Sequence, residues 1–130
     1  MTVPLWCLAI ACFLPYVWAP FIVSARASQL GSIDNKNPRA QQAQLTGRGA
    51  RAVGAHKNAF EAIAVFAPAV LVAHVAGADP LWAARLAETF VAVRVLHGVF
   101  YLADLDLLRS SAFAVGMACA VGLFALAARA

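Results

Sequence analysis

Four apolar stretches are separated by three polar breaks of unequal length. Residues 3–25 carry no formal charge, and the run ends at Arg26. A helix needs about 20 residues to cross a bilayer. The pattern therefore predicts a first span over residues 3–26, kinked at Pro15 and Pro20, with neighbouring groups taking up the freed carbonyls. Residues 27–46 are polar, with a turn expected at Asn37-Pro38 and a short helical turn between Ala40 and Leu45. A long second helix is predicted from Gly47 to Ala76, with Thr46 capping its exposed N–H groups. Gly77-Ala78-Asp79-Pro80 reads as a tight turn, which makes the second and third helices antiparallel neighbours. The third helix is expected over residues 80–103, with Pro80 at a first helical position. The fourth is expected over 109–128, charge-free from Ser110 and ending at Arg129. The fold class is all-α: one domain, residues 1–130, built as a four-helix bundle running up-down-up-down.

Composition places that bundle in a membrane. The chain has 130 residues, 63% of them hydrophobic and only 12% charged. Soluble domains are about a quarter charged, so there is too little polar surface here to coat one. The net charge of +4 raises nucleic acid as a partner. Its distribution excludes that reading, because a nucleic-acid interface needs a solvated basic face. Arg26, Lys36, Arg39, Arg48, Arg51 and Lys57 instead gather around the first connector. That is the positive-inside pattern; it puts residues 26–57 in the cytoplasm and both termini outside. The N-terminal apolar run lacks a positive leader and exceeds a signal-peptide core, so it reads as a retained helix. Cys7, Cys12 and Cys119 lie in apolar runs without metal-like spacing and read as small buried hydrophobes. No second histidine is placed to share a metal with His97, so no metal site is expected.

Helical spacing then selects the polar residues that belong together. Arg51, Gly54, Asn58 and Glu61 are three, four and three residues apart, on one face of the second helix. Arg94, His97, Tyr101 and Asp104 repeat that spacing on the third. At 1.5 Å per residue, Glu61 lies about 20 Å below Gly47 and Arg94 about 14 Å from Ala103. Both faces fall in the cytoplasmic half, so they can meet. Glu61 and Arg94 form the natural charge pair, with Asn58 as a bridge. The expected result is a polar cavity rich in donors: Arg51, Lys57, Asn58, Arg94, His97, Tyr101 and Arg109. Such a cavity suits an anionic ligand, because arginine forks bind carboxylates bidentately. A thiol near an arginine there would shift toward thiolate.

Plainer roles stand beside these. Asn58 and Glu61 also fit as polar glue between helices, and Tyr101 as an interface anchor. Arg85 and Glu88 read as a self-neutralising i,i+3 pair. Lys57 is placed to snorkel toward headgroups. Asp104 and Asp106 read as a solvated turn, His74 carries no assigned role, and the basic connector can also touch anionic lipid.

Two stretches carry a resemblance. The first is Asp34-Asn35-Lys36-Asn37-Pro38-Arg39, Leu45-Thr46-Gly47, Ala50-Arg51-Ala52 and His56-Lys57-Asn58-Ala59-Phe60-Glu61. The second is Arg94-Val95-Leu96-His97-Gly98-Val99-Phe100-Tyr101, then Arg109-Ser110. In that order they resemble the bacterial branch of the MAPEG superfamily, the membrane-associated proteins in eicosanoid and glutathione metabolism. The resemblance implies a homotrimer with glutathione as cosubstrate, bound at each subunit interface near the cytoplasmic side. It implies that Asn58, Glu61, Arg94 and Tyr101 contact glutathione and that His97 lines the site. Arg109 would stabilise the glutathione thiolate as the catalytic group. The pattern departs at Gly54, where eukaryotic members carry arginine; Arg51, one turn earlier, is the candidate replacement.

The resemblance thus implies a glutathione transferase or peroxidase acting on lipophilic electrophiles or lipid hydroperoxides, in a bacterial inner membrane. The alternative is a non-catalytic trimer that binds a lipid or another anion. A small four-span drug exporter is disfavoured, because such exporters depend on an acidic residue in the first helix, which is absent here.

Overall fold

A computed structural model describes residues 1–130. It is all-helical: α1 (Val3–Val17), α2 (Ala19–Leu30), α3 (Pro38–Gln42), α4 (Gly47–Ala76), α5 (Pro80–Ala103) and α6 (Asp106–Ala127). Four helical segments are long and apolar enough to cross a membrane: Val3–Leu30, Gly47–Ala76, Pro80–Ala103 and Asp106–Ala127. Large apolar side chains such as Trp6, Ile10, Phe13 and Val75 face outward, which suits hydrocarbon rather than water as the surrounding solvent.

The core between the spans is made mainly of small residues with a few large ones among them. Cys7 and Ala11 of α1 meet Phe66, Ala69, Val70 and Ala73 of α4. Ala87 and Phe90 of α5 and Cys119, Ala120 and Leu123 of α6 complete the cluster. Alanines let helix backbones approach closely where no hydrophobic force drives them together. Phe66 and Phe90 fill the centre, stacked with ring centroids 3.7 Å apart. Cys7 and Cys119 are buried as the composition implies, but Cys12 is exposed.

The first span departs from expectation in length and in shape. It continues past Arg26 to Leu30 and breaks once, at Trp18, one residue after α1 ends. The prolines explain the break: Pro20 has no N–H to offer back along the helix. The Pro15 carbonyl receives Trp18 N at 3.2 Å and also lies 2.9 Å from His56 Nδ1 of α4. A carbonyl only accepts, so this contact fixes the proton on Nδ1. The break lets the Trp18 indole, 4% exposed, pack flat against Gly98 of α5. Any side chain at 98 would overlap it.

Arg26 is not the charged end of a helix. It is 5% exposed, with Nε donating to Gln41 Oε1 at 2.6 Å and Nη2 to the Asp34 carbonyl at 2.7 Å. Gln41 in turn donates to the Ser32 carbonyl at 2.6 Å and accepts from Asp34 N at 3.1 Å. This network folds the connector back onto the end of α2. The Asp34 carboxylate accepts from Lys36 N at 2.8 Å and Asn37 N at 3.1 Å. Those backbone N–H groups hold its carboxyl below the usual range.

The predicted limits of α4 and α5 coincide with the observed ones. Helix α6 begins at Asp106, three residues before the expected start, and the short connector helix α3 lies slightly earlier than expected. Thr46 does not cap α4 with its side chain. Its backbone is held instead by Gln29, with Thr46 N donating to Oε1 at 3.0 Å and Nε2 donating to the Thr46 carbonyl at 3.3 Å. Asp79 does cap α5, accepting from Trp82 N at 2.9 Å. Arg85 does not pair with Glu88. It lies over the Trp82 ring, 5.3 Å from the centroid.

Candidate functional site

The two polar faces meet along the α4–α5 contact. As α4 is followed from Arg51 through Gly54 and Asn58 to Phe66, the partners on α5 run back from Asp104 through Tyr101 and Arg94 to Phe90. The three-four-three spacing on each helix is what puts these residues in register.

At the deeper end, Arg94 is 4% exposed. Its Nη2 donates to Asn58 Oδ1 at 2.6 Å and to the Asn58 carbonyl at 3.1 Å. Asn58 Nδ2 donates on to Glu61 Oε2 at 3.1 Å. The expected direct Glu61–Arg94 pair is therefore replaced by a relay through Asn58, whose amide faces the cation with its oxygen and the carboxylate with its nitrogen. Glu61 itself is exposed. A cavity of about 230 Å³ opens beside this relay, between α4, α5 and α6. Asn58, Glu61 and Arg94 supply its polar wall; Val65, Phe90, Phe113 and Met117 supply apolar ones. Arg94 Nε is buried and has no partner. A buried N–H of this kind carries a desolvation cost that a ligand acceptor would remove.

At the shallower end the arrangement is closed. Tyr101 lies against Gly54 so tightly that a Cβ there would sit 2.6 Å from the phenol oxygen. The space beside Gly54 is thus filled by the Tyr101 ring. Arg109 of α6 lies over that ring, 4.6 Å from its centroid. His97 is buried and meets Tyr101 edge-on at 5.7 Å and Phe113 at 6.4 Å. Arg51 Nη1 pairs with Asp104 Oδ2 at 3.2 Å, so Asp104 is a partner and not simply part of a solvated turn. Arg51 Nε is buried without a partner.

The single donor-rich cavity expected from spacing therefore divides in two. Asn58, Glu61 and Arg94 line the cavity; Tyr101 with Arg109 over its ring, and Arg51 paired with Asp104, lie outside it toward the helix ends as a second group, the lid. His97 and Phe113 connect the two. Lys57 is exposed and lines neither part. Phe113, Gly116 and Met117 of α6 went unnoticed in the sequence because an apolar run offers no local signal for which residues face a cavity. Asp104 did have a signal, since it completes the polar face of α5.

The sequence model of the MAPEG family matches residues 3–129. The chain belongs to the MAPEG family. No curated relative matches the chain. Family membership and the four membrane-length helices together make this an integral, multi-pass membrane protein. Both stretches that carried the resemblance lie within the matched residues, and so does every residue of the relay and the lid.

Proposed function

We propose that this MAPEG protein binds glutathione and transfers it to lipophilic electrophiles, or uses it to reduce lipid hydroperoxides. The observation that carries the reading is Arg94: a buried cation, oriented by Asn58, whose buried Nε has no partner and which lines a cavity. The donor set fits glutathione, which brings carboxylates for arginine forks and a thiol that reacts as thiolate. Arg94 and Asn58 would hold a carboxylate, and Glu61 would accept from an ammonium group. Arg109, with Tyr101 beneath it, would supply the positive charge that favours a thiolate. Arg51 and His97 would complete the polar wall. The lipophilic substrate would arrive from the bilayer along the apolar side of the cavity.

The same proposal includes an up-down-up-down homotrimer of the bacterial branch, in an inner membrane, with the basic 26–57 segment cytoplasmic and the termini outside. The exposed carboxylate of Glu61 supports assembly, because an uncovered charge within a span is costly in lipid.

The deciding experiment is equilibrium binding of glutathione to the detergent-solubilised protein, with thiolate absorbance followed. Wild type should saturate, and Arg94→Ala should bind about thirtyfold more weakly. Absence of saturable binding at millimolar glutathione would overturn the reading.

One observation favours a non-catalytic anion-binding protein instead: the lid is closed, with Tyr101 on Gly54 and Arg51 held by Asp104. Asp104→Ala frees Arg51 at a cost of at most about 1 kcal/mol in stability. If Arg51 serves the glutathione site, that variant should bind as tightly as wild type or tighter. Weaker binding would mean that the closed lid is the functional state.

A further inference from the structure

A second amphipathic site lies at the first turn of α4, flanked by α2 and α5, and shares no residue with the relay or its cavity. Two clefts adjoin there and share Phe21 and Arg48. The first, about 240 Å³, is polar and includes Ser24, Ser28 and Gln29. The second, about 450 Å³, is apolar and includes Trp18, Val99 and Leu102. Its floor is the Trp18 indole laid on Gly98. Arg48 stands on the boundary with its guanidinium 6.0 Å from the Phe21 ring centroid. It is exposed and has no hydrogen bond or ion pair, the one ion pair being Arg51–Asp104. Arg26, less than a turn away from Ser24 and Ser28, is by contrast buried and engaged within the chain through Nε and Nη2.

We propose that this groove is a binding site for one anionic phospholipid. The phosphodiester sits on Arg48 and the Ser24 hydroxyl, with the Ser28 hydroxyl turning to it from the Ala25 carbonyl it holds at 3.3 Å, and one acyl chain lies over Trp18, Phe21, Val99 and Leu102. The polarity runs the right way for a lipid: the polar cleft lies toward the connector and the apolar cleft toward mid-span. From Ser28 to Trp18 the groove extends about 15 Å along the helix, enough for a headgroup and the upper part of a chain. Arginine suits the role because its fork matches phosphate oxygens and its stem lies on apolar surface.

Charge complementarity selects a lipid over a second copy of this chain. Of the six acidic residues, Asp34, Glu61, Asp79, Asp104 and Asp106 already accept hydrogen bonds within the chain. The sixth, Glu88, lies eleven residues from Val99 on α5, about 16 Å along the helix. Near the level of Arg48 a copy in the same bilayer orientation offers Asp104 and Asp106, whose carboxylates already accept from Arg51 Nη1 and Leu107 N, so an ion pair there would compete with bonds within its own chain. This site is separate from the relay and does not rest on the glutathione reading.

The test is native mass spectrometry of the full-length protein released from mixed micelles. Phosphatidylglycerol and phosphatidylcholine with the same acyl chains are offered together. Wild type should retain phosphatidylglycerol over phosphatidylcholine, and Arg48→Ala should lower that preference about tenfold. Arg48→Lys should keep part of it, Leu102→Trp should reduce retention of both lipids by filling the apolar cleft, and Arg39→Ala should change nothing. An unchanged preference in Arg48→Ala would overturn the proposal, as would an equal loss in Arg39→Ala. Displacement of phosphatidylglycerol by equimolar inorganic phosphate would show a free-anion site instead. Oxidative cross-linking of Val99→Cys between copies would show a protein interface instead.

Discussion

Arg26 and Arg94 are two arginines of nearly equal burial in very different settings. Arg26, at the connector, donates from Nε and Nη2 to a glutamine and a backbone carbonyl that are themselves tied to Ser32 and Asp34. Arg94, between α4 and α5, uses only Nη2, both times on Asn58, and keeps Nε buried and free. One cation is enclosed by the fold it organises. The other is held in position from one side and stands beside an open volume. Burial alone does not distinguish the two; the unspent donor beside a cavity is what makes Arg94, and not Arg26, the candidate for binding.

The sharpest way to break this contrast is to disturb the enclosed arginine. Gln41→Leu leaves Arg26 buried without its main acceptor and should cost about 3 kcal/mol of stability. Thermal unfolding in detergent should show it, while glutathione affinity per folded protein stays unchanged. A loss of affinity as well would mean that connector and site are not independent. Next in size is Arg94→Lys, which keeps the charge but removes Nε and the planar fork. Affinity should fall about tenfold with little change in melting temperature. The reverse result, lower stability with affinity intact, would make Arg94 a structural group like Arg26.

The smallest effect concerns pH. The Asp34 carboxyl is held low by the N–H groups of Asn37 and Lys36, and then by the Asn37 amide. A depressed folded-state pKa contributes stability that is fully present above the ordinary aspartate value, about 3.9. It is lost as pH falls through the lowered value. The Asp34 carboxyl carbon should therefore titrate below that ordinary value by NMR, and Asn37→Ala should move it upward. A midpoint unmoved by that substitution would show that the side-chain amide adds nothing.

Much of this molecule was legible in its sequence, and the residues show where legibility stopped. Four charge-poor runs located the spans, and the limits of Gly47–Ala76 and Pro80–Ala103 were read correctly, although the Thr46 side-chain cap expected at the first of them is not formed. Regular spacing identified the two polar faces, because helical geometry fixes which residues share a side. The end of the first span was misread because Arg26 looks like a stop signal. Gln41, fifteen residues away in sequence, and the Asp34 carbonyl make its burial tolerable. Asn58 was recognised as a bridge, but the geometry that keeps Glu61 from Arg94 belongs to the packed helices. The space at Gly54 looked empty in one dimension and is filled in three by a ring from another helix. Arg48 was read only as part of a basic cluster, since nothing local distinguishes a free arginine from an engaged one.

The contact between His56 and the Pro15 carbonyl has a consequence for biogenesis. An isolated first span in the bilayer would present a weakened backbone around its prolines, with no water to compensate. The Pro15 carbonyl, held within the span by Trp18 N alone, gains its second and shorter contact from His56 on the next span, forty-one positions downstream. Residues 3–30 thus gain a fully settled membrane position only when residues 47–76 join them, and the connector held by Arg26 keeps the two segments close. The first two spans should therefore leave the insertion machinery as a pair.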